Sequence, residues 1–118
     1  MALKRQKPHP NPEKPVGNYI SNVRVDNLLY LAACLRFLAN TNEAIGSLNK
    51  VKRVINTFGV VNSDPEFKDQ PKVINGCSDL MTEVFGDING KGARLAIGIA
   101  GLPFGNPVEV EIILEVVN

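Results

Sequence analysis

Residues 92–116 read GARLAIGIAGLPFGNPVEVEIILEV, two apolar runs with a single cation, Arg94, where the first begins. In the second run Val108, Val110, Ile112, Leu114 and Val116 fall on one side of an extended chain, and Glu109, Glu111, Ile113 and Glu115 fall on the other. Two strands follow from this pattern, Arg94 to Gly101 and Pro107 to Val116, with one face of the second buried. The connection Leu102-Pro103-Phe104-Gly105-Asn106 has the length of a hairpin loop. Arginine at a strand start suits carboxylate recognition, because its planar, permanently charged fork matches a carboxylate with two parallel hydrogen bonds. An arginine on the surface or in an ion pair satisfies the same sequence.

Working back from that pair, the clearest helix spans residues 70–85. Pro71 stands in its first turn, Val73, Cys77, Leu80, Met81, Val84 and Phe85 recur at helical spacing, and Gly86 closes it. A helix packed on a sheet accounts for this stripe without a cofactor. Upstream, residues 51–61 are rich in valine, isoleucine, threonine and phenylalanine and read as a strand. Residues 33–45 read as a shorter helix ending at Gly46. Ile20 to Val25 and Leu28 to Ala32, joined by Asp26-Asn27, read as a hairpin whose second strand is apolar enough to be covered on both faces. The order ββαβαββ gives an α+β fold, a mixed sheet with two helices on one face.

At 118 residues the chain holds one domain, and a core of that size leaves apolar surface that self-association can cover. Residues 1–15 are basic and rich in proline (Pro8, Pro10, Pro12, Pro15) and read as a flexible arm ahead of a single domain over 16–118. The net charge of +1 comes from that arm. The remainder lacks the basic face and interleaved aromatics that nucleic acid requires, so nucleic-acid binding is not expected. No run is long and apolar enough to span a membrane, and the start lacks a secretory h-region, so a cytoplasmic protein without a membrane partner is expected. Cys34 and Cys77 lack C-x-x-C spacing and His9 is the one histidine, so no metal cluster and no cofactor are expected.

Several strings resemble the RidA/YjgF family of reactive-intermediate deaminases. They are Gly92-Ala93-Arg94 with Leu102-Pro103 and Val108-Glu109-Val110-Glu111, Gly17-Asn18-Tyr19, Asn27-Leu28-Leu29-Tyr30-Leu31, Gly46 to Val51, and Val60-Val61-Asn62-Ser63 through Phe67 to Gln70-Pro71-Lys72-Val73-Ile74-Asn75. The resemblance covers nearly everything after residue 15. It implies a chorismate-mutase-like fold, assembly as a homotrimer with ligand clefts between subunits, and hydrolysis of enamine or imine intermediates to 2-oxo acids and ammonia. By motif position Arg94 matches the arginine that grips the substrate carboxylate, Glu109 the glutamate that positions water, and Tyr19 a tyrosine of the cleft wall. The chain departs from the family after Ala32, where members continue into a small-residue turn, a loop, another strand and a longer first helix. No residue here takes the part of the Ser/Gly strand end that lines the carboxylate pocket in the family. A non-catalytic trimer that binds or senses 2-oxo acids is therefore the competing expectation.

An imine carbon is already electrophilic, so an oriented substrate and a positioned water suffice for that chemistry. Arg94 would orient and Glu109 would accept a proton, although a solvated glutamate on an outer strand face explains Glu109 equally well. In a simple hairpin about Gly105 the two would lie roughly 15 Å apart, which favours cooperation across a subunit boundary. Ala96, Gly98 and Ala100 leave the face shared with Arg94 nearly free of bulk, room for a ligand or for close approach of another backbone at a subunit contact. Ribonuclease activity, sometimes attributed to the family, finds here neither a histidine-based acid/base pair nor a basic track.

Overall fold

A computed structural model describes residues 20, 22–33 and 37–117. The chain order is β1 (Asn22–Val25), β2 (Leu28–Ala33), α1 (Phe37–Ile45), β3 (Val51–Asn62), α2 (Gln70–Asn89), β4 (Ala93–Ile99) and β5 (Val108–Val116). This is the expected ββαβαββ sequence of an α+β fold. The N-terminal arm lies outside the described residues. Ala33 ends β2 and does not open the helix, so at most three residues separate strand from helix.

The five strands form one mixed sheet in the order β1-β2-β5-β3-β4. Asp26 and Asn27 make the hairpin turn as expected, with Asp26 at φ 52°. The Asn27 amide donates to Glu115 Oε2 at 3.2 Å, and its carbonyl accepts from the Val116 N–H at 2.8 Å, which ties the turn to the end of β5.

β4 and β5 do not pair as a hairpin. β3 lies between them, parallel to β4 and antiparallel to β5. The cause is the crossover: α2 connects β3 to β4, a route that returns the chain alongside the strand it left and in the same direction. The connection to β5 then wraps over the end of β3. The Asn62 N–H donates to the Pro107 carbonyl at 2.8 Å and the Ser63 N–H to the Ile99 carbonyl at 3.1 Å. The Asn62 side chain adds a bond to the Asn106 carbonyl at 3.3 Å.

The alternation read in β5 holds: Val110, Ile112, Leu114 and Val116 are buried beneath the helices. Leu29 and Leu31 on β2 join them, together with Val54 and Val61 on β3. β2 is covered on this face alone, because Tyr30 on its opposite face is 38% exposed. The expectation of a strand covered on both faces therefore fails within one chain.

In α2 the buried centre is Ile74 and Met81, with Cys77 and Phe85 packed beside them, while Val73 and Leu80 are exposed. Two neighbouring apolar rows, one through Val73 and Leu80 and one through Ile74 and Met81, both satisfy helical spacing. Gly59 on β3 selects between them. A Cβ at Gly59 would lie 2.4 Å from Ile74 Cδ1 and 2.5 Å from Cγ1, so the isoleucine occupies the space that a side chain would need. Gly86 takes a non-helical conformation (φ 89°, ψ 167°) and breaks the helix as expected, with one further short turn running on to Asn89.

Replacing Gly59 with alanine forces Ile74 out of its seat. An overpacked core of this kind costs about 1–3 kcal/mol, so the urea midpoint of G59A falls, and the double variant G59A/I74A loses less than the sum of the two single losses.

Candidate functional site

Arg94 sits near the start of β4, in register with Thr57 of β3. Thr57 is buried on the helix-covered face, so Arg94 faces the same way, toward α2. Its Nη1 donates to Asn75 Oδ1 at 2.7 Å and to Ser78 Oγ at 3.1 Å. Positions 75 and 78 are three apart on α2 and so share a helix side, next to the Ile74–Met81 row that packs on β3. Among the described residues no carboxylate pairs with Arg94. Its charge is held by neutral acceptors and remains available to an anion. Asn75 and Ser78 were not singled out in the sequence; the available signal is two polar residues at helical spacing on the flank of the apolar row.

Glu109 is elsewhere. It pairs with Val60 of β3, three residues from Thr57, and side chains alternate along this regular part of the strand. Glu109 therefore lies on the face opposite Arg94. Two strand spacings and three residues along the strand separate their Cα atoms by roughly 14 Å. The structure does not bring these two residues together within one chain. Tyr19 lies outside the described residues.

The small residues of β4 have an internal explanation. Ala96 packs against the core beneath α2. A Cβ at Gly98 would come within 2.7 Å of both Gln70 Nε2 and Ser63 Oγ, so the start of α2 and the loop before it fill that space. At Gly98 the space is thus filled from within the chain, while Ala100 lines an open depression.

The face that carries Glu109 is open and apolar toward its two edges, with Glu109, Glu111 and Glu115 of β5 between them. Leu95, Ile97 and Ile99 on β4 are 61%, 43% and 42% exposed, and Tyr30, Val23 and Val25 are exposed toward the other edge. A depression of about 190 Å³ on this side is lined by Ile20, Asn22, Val23, Tyr30, Leu31 and Glu111. A second of about 380 Å³, lined by Val61, Asn62, Ser63, Asp64, Phe67 and Ala100, lies at the far end of β3 and β4 from Arg94.

Cys77 packs beside the core on α2, and burial pushes its thiol pKa up, so it stays protonated at neutral pH. That suits a small core residue better than a nucleophile. No helix among the described residues is long and apolar enough to cross a membrane.

No protein-family model matches the chain. Protein TCP17 of Trypanosoma cruzi is 45% identical over 87 residues, which are 74% of this chain and 54% of that protein, so the chain spans about half the length of this curated relative. Among solved structures, protein Atu1372 of Agrobacterium tumefaciens, described as of unknown function, is 32% identical with a TM-score of 0.80. The match covers 89% of this chain and 87% of that one. The YjgF gene product of E. coli shares the fold at 17% identity, with a TM-score of 0.61 over 89% of this chain and 93% of its own. The motifs around Arg94, Glu109 and Gln70–Asn75 lie on that sheet and helix pair, and the chain has the fold of the YjgF gene product.

Proposed function

We propose that the protein hydrolyses enamine or imine intermediates to 2-oxo acids and ammonia, in clefts between the subunits of a homotrimer. The observation that carries this reading is Arg94: a half-buried guanidinium on an edge strand, held by two neutral side chains and compensated by no carboxylate among the described residues. Such a group binds the carboxylate that a 2-imino acid carries. Water oxygen then bonds to the C=N carbon while the π pair moves to nitrogen. Glu109 takes one proton from water and passes it to the nitrogen, giving a carbinolamine; it then carries the hydroxyl proton to the same nitrogen, so that the C–N bond breaks and ammonia leaves as the carbonyl forms. Neither a metal nor a covalent nucleophile is needed for an electrophile this reactive.

Arg94 and Glu109 lie on opposite faces of one sheet, so one substrate meets both only where Glu109 is supplied by a neighbouring copy. The open apolar face supports that assembly, because isoleucines and leucines left in water are a cost that burial against another copy removes. The second reading, a trimer that binds 2-oxo acids without turnover, is favoured by the absence of the Ser/Gly strand end: Ala32 and Ala33 close β2 here.

Three outcomes check these readings. Arg94→Ala weakens binding of a 2-oxo acid about 10- to 100-fold, the value of charge-assisted bonds, measured by calorimetry; unchanged affinity defeats both. Glu109→Gln lowers ammonia release from enzymatically generated 2-aminoacrylate about 10²- to 10⁴-fold while 2-oxo acid affinity holds; wild-type protein that binds but releases no ammonia from any of several imines selects the non-catalytic reading. Ile97→Asp, at a position already exposed in the protomer, shifts the mass in solution from trimer to monomer by light scattering; a wild-type monomer contradicts the inter-subunit cleft.

A further inference from the structure

We infer that Asn75 and Ser78 are positioning residues that grip Arg94 by one nitrogen, so that a ligand carboxylate is bound side-on by Nε and Nη2. The inference rests on Arg94 being the carboxylate anchor. A guanidinium offers a carboxylate two paired edges, Nη1 with Nη2 or Nε with Nη2. Nη1 carries two hydrogens, and two acceptors already meet it, Asn75 Oδ1 at 2.7 Å and Ser78 Oγ at 3.1 Å. The edge that includes Nη1 is therefore committed. The Nε–Nη2 edge has no partner among the described residues.

The identity of the two acceptors matters as much as their position. An amide oxygen and a hydroxyl fix the plane of the guanidinium without neutralising it, whereas a carboxylate at either place would form an ion pair and compete with the ligand. Both also stand on α2, whose row through Ile74 is seated on Gly59, so the grip is built on a rigid element. The ligand class that fits is a small monocarboxylate whose carboxyl group lies in the guanidinium plane.

The test titrates pyruvate into the full chain and four variants, reading affinity by calorimetry, thermal midpoint by circular dichroism, and the Arg94 Nε–H resonance by NMR. Asn75→Asp is expected to weaken pyruvate binding about tenfold or more while the midpoint holds or rises, because the new ion pair stabilises the fold as it consumes the charge. Ser78→Ala weakens binding severalfold and Ser78→Thr, which keeps the hydroxyl, restores it, a comparison that stands even if Asn75→Asp fails to fold. In the wild type the Arg94 Nε–H resonance moves on adding pyruvate. Wild-type affinity in Asn75→Asp and Ser78→Ala, or an unmoved Nε–H with pyruvate bound, overturns the positioning role and leaves Arg94 as anchor. Wild-type affinity in Arg94→Ala overturns the anchor as well.

Discussion

The seat of Ile74 on Gly59 sets the position of everything that follows it on α2. Because the isoleucine fills the space of an absent side chain, the helix lies close to β3 and in one rotation. Gly59 is in register with Ala96, and Thr57 with Arg94, so the residue after Ile74 and the one three further on come down beside the guanidinium. Burying Ile74 contributes about 1.5–3 kcal/mol, but its larger effect is geometric. A helix turned by one position toward the Val73–Leu80 row would carry Asn75 and Ser78 away from Arg94.

The second constraint is topological. Placing β3 between β4 and β5 puts the cationic and acidic candidates on opposite faces of one sheet, in register with Thr57 and Val60. A protein that used both on one small molecule would have to bring sheets together from different copies. The same arrangement leaves Leu95, Ile97 and Ile99 uncovered on the face that carries Glu109, with β3 between the two strands. On the proposed reading, assembly and chemistry would draw on a single feature, the open face, while the anchor would be prepared within each protomer by its own helix.

Most of the secondary structure was legible because local chemistry agreed with the fold: Asp26-Asn27 at the hairpin turn, the alternation of Val108 to Val116, and Pro71 in the first turn of α2. Strand order was not. A loop from Leu102 to Asn106 has the length of a hairpin, and nothing in those residues reports that it passes over the end of β3. The centre of the α2 stripe was likewise hidden, since Val73–Leu80 and Ile74–Met81 differ by one residue and the choice is made by Gly59, distant in sequence. The site was half legible. Arg94 stood out by residue type and motif, but Asn75 and Ser78 acquire meaning only when the helix is laid across β4.

The most direct measurement is a crystal structure of the assembled protein soaked with a 2-oxo acid. The account predicts the carboxylate within hydrogen-bonding distance of Arg94 Nε and Nη2, with Asn75 and Ser78 still on Nη1 and Glu109 of a neighbouring copy reaching the 2-oxo carbon through a water. A carboxylate bound away from Arg94, with the guanidinium engaged by Asn75 and Ser78 alone, would contradict it.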